Sequence, residues 1–234
     1  MTMATAFLAV PAAAQFNGGM DWVVTRTRVP TAIQCPGCND HDNGGPQTEP
    51  SPAPVSAPAL VYTPSKIVRK QNLARFIQES RARNPQGMHQ MEPLFSQSDI
   101  IEQIGALIRP SGLRINNVAD AYTVWWITAW EAVHQTDAGS SAAMYSAVKK
   151  QAARAILDAG KITAASITTK QEMAEALLVQ AALIEASRDA AAGNASQLTA
   201  IARAVNQSAR AMGMDLARMT LTDNGFSFRS GAPR

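Results

Sequence analysis

Apolar residues recur at helical spacing through most of the chain beyond residue 65. Ile100, Ile101, Ile104, Leu107 and Ile108 fall at i, i+1, i+4, i+7 and i+8, the stripe that one face of a helix buries. Ser98 or Asp99 supplies the cap of this helix and Pro110 its stop. Asn72–Ala82 sets Leu73, Phe76 and Ile77 on one side of a shorter helix that begins after Pro64. Residues 117–134, capped by Asn116 or Asn117, are apolar around most of the circumference and leave a narrow polar stripe of Asp120, Thr123, Glu131 and His134. Such a helix belongs at the centre of a bundle, covered by others.

Three further helices carry clear punctuation. Residues 141–159 place Met144, Val148, Ala152, Ala155 and Ile156 inward and stop at Gly160. Thr169-Lys170-Gln171-Glu172 reads as a capping box opening a helix to Ala192, with Met173, Leu177, Ala181 and Ile184 inward. Asn194 with Gln197 opens the last, whose apolar face is Leu198, Ile201, Ala202, Val205 and Met212 ahead of Gly213. Beyond it, Asp223-Asn224-Gly225 makes a turn, followed by the alternating Phe226-Ser227-Phe228.

The period changes towards the N-terminus. Asp21–Val29 (DWVVTRTRV) is dense in Trp, Val and Thr and reads as one strand ending at Pro30, with Trp22, Val24, Arg26 and Arg28 on one face. A lone strand leaves its backbone groups unsatisfied. Its partner is either within the chain, at Arg218–Thr222 or Phe226–Phe228, or the sheet edge of another subunit. The internal pairing is preferred, since terminal strands commonly meet within a domain. From Pro46 to Pro64 six of nineteen residues are proline, a stiff extended tether that buries no core. The expected fold is therefore mainly α: a multi-helix bundle over 65–234, a β-prone extension over 15–64 and a short C-terminal extended segment.

Composition narrows the class further. Of 234 residues 43 are alanine, so much of the 46% hydrophobic fraction is a helix former with little area to bury. Two cysteines exclude a disulfide-dense mini-protein. No apolar run approaches the ~20 residues of a membrane span. Lys and Arg exceed Asp and Glu by three, which is too little to define a basic protein. The first fourteen residues, MTMATAFLAVPAAA, run from a short apolar stretch through Pro11 to Ala12-Ala13-Ala14. This is the small-residue pattern of a cleaved signal peptide, although no Lys or Arg precedes it. Periplasmic or secreted localisation is expected.

Candidate chemistry is sparse. Cys35-Pro36-Gly37-Cys38 is followed by helix breakers rather than a helix, so a local disulfide loop is preferred over redox catalysis or a metal site shared with His41. Tyr122, Trp126 and Trp130 either line an apolar ligand pocket or, the preferred reading, pack the core. Glu131-x-x-His134 has the spacing of one half of a carboxylate-bridged metal site, but it occurs once. Asp120 and Glu131 sit eleven residues apart on one helix, about 16 Å, too far for an acid and base flanking one bond. Lys66, Arg69, Lys70, Arg75, Arg81 and Arg83 crowd the first helix. They form no separate cationic stripe, so they read as a solvated surface and no nucleic-acid partner is expected. No nucleophile elbow, zinc-protease motif or phosphate loop is present, and neither a catalytic residue nor a cofactor is assigned.

Asn72-Leu73-Ala74-Arg75-Phe76, Asn117–Tyr122 with Trp126 and Trp130, Gln151, and the ending Gly213, Asp215-Leu216, Leu221-Thr222 and Gly225-Phe226 resemble a family of exported bacterial proteins of unknown function. The resemblance spans residues 65–228, leaves the extension outside it, and implies export and a helical domain without an activity. The resulting expectation is an exported interaction or structural module, a subunit of an envelope or extracellular assembly, that meets a protein partner or itself through residues 15–64. The alternatives are an apolar-ligand binder using the Trp-rich helix and, behind it, a carboxylate-dependent enzyme.

Overall fold

The computed structural model describes residues 57–83, 85, 99–139, 141–160, 162 and 164–228. The leader-like residues 1–14, the segment Asp21–Val29 with Trp22, Val24, Arg26 and Arg28, and the Cys35 and Cys38 pair lie outside these. Among the described residues six helices precede one hairpin: α1 (Lys66–Arg83), α2 (Ile100–Ile108), α3 (Val118–His134), α4 (Ala142–Asp158), α5 (Ile167–Ala190), α6 (Ala195–Ala211), β1 (Met219–Thr222) and β2 (Gly225–Phe228).

Short polar side chains open the helices, as their sequence positions require. Asp99 accepts from the Glu102 N–H, Asn117 from those of Ala119 and Asp120, Ser141 from Met144, and Asn194 from Gln197. The first helix begins after Pro64 as expected, at Lys66, and one later helix starts earlier than the pattern suggests. The capping box expected at Thr169 yields to Ser166, whose hydroxyl accepts from the Thr169 N–H, so α5 begins at Ile167. Both residues can cap, and starting at Ser166 adds a turn of helix ahead of Gln171 and Glu175.

Thirteen of the seventeen residues of α3 are buried, and it packs against α4, α5 and α6. It is the central helix that its apolar circumference demands. The inward residues expected of α4 are its buried ones without exception: Met144, Val148, Ala152, Ala155 and Ile156. α1 and α2 lie against α5. The packed chain also reaches back past the expected boundary at residue 64, since Leu60 and Tyr62 are buried. There Val61 bridges Asn117 and the Tyr62 N–H donates to the Asn116 carbonyl at 3.0 Å.

The two C-terminal segments considered as partners for Asp21–Val29 pair with each other. Met219, Thr220, Leu221 and Thr222 stand opposite Phe228, Ser227, Phe226 and Gly225, antiparallel across the turn Asp223-Asn224. Gly225 has φ +92°, and a Cβ there would lie 2.5 Å from the Gln151 Oε1. Only glycine satisfies both the turn and that close approach.

Candidate functional site

Two clusters gather buried polar and aromatic groups. At the first, α1 presents Arg69, Asn72, Phe76 and Ser80 as its buried side. The Arg69 guanidinium donates to the Glu175 Oε1 at 3.0 Å, the Asp99 Oδ2 at 2.6 Å and the Glu102 Oε1 at 2.8 Å. Burial works against its charge, but the three carboxylates prevail and hold its pKa above the ordinary arginine value. Asn72 donates to the other oxygen of Glu175 at 2.7 Å, and Gln171 donates to its Oε1 at 2.8 Å. The amide of Gln171 also clasps one residue by both backbone groups: its oxygen accepts from the Ser65 N–H at 2.9 Å and its nitrogen donates to the Ser65 carbonyl at 2.8 Å. The expectation of a solvated arginine surface therefore fails at Arg69, which is 4% exposed. Its carboxylate partners come from the start of α2 and from α5, and only the tertiary fold brings them there.

In the second cluster, Trp126 stacks on Phe226 at 4.4 Å and 20°, and Tyr122 meets the edge of Trp126 at 5.6 Å. The Trp130 Nε1–H donates to the Met219 carbonyl at 2.9 Å. The Tyr122 hydroxyl donates to the Met214 sulfur at 3.2 Å, and burial raises its pKa well above the usual phenol value. Gln151 on α4 repeats the device of Gln171: it accepts from the Phe226 N–H at 2.8 Å and donates to the Phe226 carbonyl at 2.8 Å. Tyr122, Trp126 and Trp130 are thus packed core, and none of the three principal clefts described below is lined by them.

The polar stripe expected on α3 is not a solvent-facing one at its start. Asp120 is fully buried; its Oδ2 accepts from the Arg114 N–H at 2.9 Å and its Oδ1 lies 2.6 Å from the Lys149 ammonium. Glu131 accepts from the Ala138 N–H at 2.8 Å, with Arg188 at 3.9 Å. Burial pushes its carboxyl above the usual carboxylate range, against the Ala138 hydrogen bond. The His134 Nε2 donates to the Leu216 carbonyl at 3.0 Å while its ring lies against Trp130. Glu131 and His134 are therefore engaged apart, and no group of three or more His, Cys, Asp or Glu gathers at a metal-sized site among the described residues.

Among the described residues, the outer edge of β1 is open at Leu221, beyond the Met219 carbonyl that Trp130 occupies, and so is one face of α4. Phe226 gives both backbone groups to Gln151, so Leu221–Phe226 is a non-hydrogen-bonded pair of the hairpin. The N–H and C=O of Leu221 consequently point outward from β1, and nothing among the described residues meets them. The face of α4 carries Lys149, Lys150 and Arg154, with clefts on either side. One of about 560 Å³ lies between Pro58–Thr63, Arg114 and Lys149. A second of about 760 Å³ runs from Lys149 along Tyr145, Lys150, Ala153, Arg154 and Leu157 beside Leu113. A third of about 500 Å³ continues from Lys150 and Arg154 to Asp223 and Asn224 at the hairpin turn.

The described residues form a helical domain closed by a C-terminal hairpin, with an open strand position at Leu221 and a cationic face on α4. The chain belongs to DUF6683, a family of unknown function, whose model matches residues 22–229. The match begins at Trp22, so most of the extension is part of the family rather than an addition to it, which corrects the narrower span of 65–228. No curated protein and no solved structure matches the chain. No helix among the described residues is long and apolar enough to cross a membrane.

Proposed function

We propose that this protein is an exported interaction module, a self-assembling subunit of an envelope or extracellular structure. In this reading the strand-forming segment Asp21–Val29 of one copy pairs with the outer edge of β1 in the next. The observation that carries it is the open edge at Leu221. A hairpin fastened on one side by Gln151 and, on the other, bonded at Met219 to Trp130 and Leu216 but open at Leu221, offers an outward donor and acceptor for strand pairing at that one residue. All but the first residue of Asp21–Val29, which reads as a strand in the sequence and would supply the other half, fall inside the same family match. Donor and acceptor are different surfaces, so the contact is head-to-tail and propagates into rings or filaments. The proline-rich stretch between them is the spacer such a link requires.

Leu221→Pro tests this directly. Its N–H faces away from β2, so the substitution removes the outward donor and leaves the hairpin ladder intact. Light scattering over a concentration series should show association of the full-length protein and a monomer for Leu221→Pro with unchanged circular dichroism. Trp22→Lys/Val24→Lys should have the same effect from the donor side. A wild-type chain that stays monomeric at every concentration overturns the proposal.

A further inference from the structure

The clefts along α4 form a continuous track. Lys149 lines both the first and the second, and Lys150 and Arg154 line both the second and the third. Lys149 is neutralised by the buried Asp120. Lys150 and Arg154 are exposed and meet no carboxylate among the described residues. They stand four apart on one helix, a like-charge pairing that weakens an isolated helix. Asp223, at the far end, is the one carboxylate among the residues lining the track.

The chain enters the described domain at this track: Pro58, Val61 and Thr63 form a wall of the first cleft, beside Arg114 and Lys149. Shortly before them stands a segment of opposite charge. Residues 39–50 (NDHDNGGPQTEP) hold Asp40, Asp42 and Glu49 and no Lys or Arg. Glu49 precedes Pro58 by nine residues, an extended reach of about 30 Å. Lys150 and Arg154 lie only one and five residues beyond Lys149 on α4, within about 8 Å along the helix axis.

We infer that the acidic segment 39–50 of the same chain docks on the Lys150–Arg154 ridge of α4, its carboxylates pairing with these two cations beside Lys149. The tether is then held against the domain at a fixed place. This goes beyond the assembly reading and stands whether the strand pairs within the chain or with a neighbour.

The test is zero-length carbodiimide cross-linking of the full-length protein, mixed equally from labelled and unlabelled nitrogen so that links within and between chains separate by mass. The expected result is an intrachain amide between Lys149 or Lys150 and Asp40, Asp42 or Glu49. Its yield should drop at least fivefold in 0.5 M salt (roughly a 4 Å screening length) and in Lys150→Glu/Arg154→Glu. Adding Asp40→Lys, Asp42→Lys and Glu49→Lys to that variant should restore intrachain linking with the polarity reversed. Absence of these links in the wild-type chain overturns the inference, and so do links found only between chains. Because the salt series uses the unaltered protein, it reads out even if a variant folds poorly.

Discussion

The charged cluster, where the first helix enters, and the aromatic cluster under the terminal hairpin solve the same problem with different chemistry. Each must hold a chain segment against the central helices, and each does so with a glutamine that binds both backbone groups of one residue: Gln171 on Ser65, Gln151 on Phe226. Around Ser65 the remaining contacts are charged, with Arg69 among Glu175, Asp99 and Glu102. Around Phe226 they are rings, with Trp126 stacked on it and Trp130 against its edge. A desolvated ion pair adds little net stability over an apolar replacement yet is costly to break from one side. Buried rings contribute through area and have no such asymmetry. The charged cluster should therefore fix which segment docks, and the aromatic cluster should supply more of the stability.

The largest effect that tests this contrast is expected at Trp126. It is 1% exposed and contacts both Tyr122 and Phe226, so Trp126→Ala should cost about 3–5 kcal/mol in urea denaturation. That is a large share of the roughly 5–15 kcal/mol that holds a domain together. Glu175→Ala comes next, at about 3 kcal/mol, because it strands the buried guanidinium while leaving it Asp99 and Glu102. The contrast sharpens in the double variant Arg69→Met/Glu175→Leu, which should regain most of that loss, since the charge and its partner leave together. No comparable second-site change should rescue Trp126→Ala. If the double variant is instead less stable than Glu175→Ala, the charged cluster supplies stability of its own and the contrast collapses.

The aromatic cluster was more legible in the sequence than the charged one, for a physical reason. Trp125, Trp126 and Trp130 declare burial by residue type and by their helical spacing, and Gly225 with Phe226 and Phe228 announces a turn and an alternating segment. Helix starts at Asp99, Asn117 and Asn194 are readable because a cap acts within three residues. Arg69 is different. It lies four residues before Leu73 and seven before Phe76, on the inward arc, yet an arginine there reads as solvated unless its partners are known. Those partners stand up to 106 residues away, and nothing local in a single sequence couples them. The same holds for Asp120, whose Lys149 sits on another helix, and for Gln151, whose role depends on a residue 75 positions further on. Local chemistry set the elements, while the partnerships that lock the two clusters exist only in the assembled fold.

The two glutamines give the finest comparison, with the smallest expected effect. Gln151→Ala and Gln171→Ala each leave one N–H and one C=O without their amide partner, and each should cost about 1–2 kcal/mol. The sites of loosening should differ. Without Gln151, the Phe226 amide should exchange faster with solvent hydrogen while Trp126 still covers the ring, so the hairpin frays locally and the global midpoint moves little. Without Gln171, the Glu175 Oε1 also loses a donor, so exchange should rise at Ser65 and through the first turn of α1 together. Amide exchange followed by residue separates the two patterns. Equal, localised loosening in both variants would mean that Gln171 acts on Ser65 alone and not as part of the Arg69–Glu175 network.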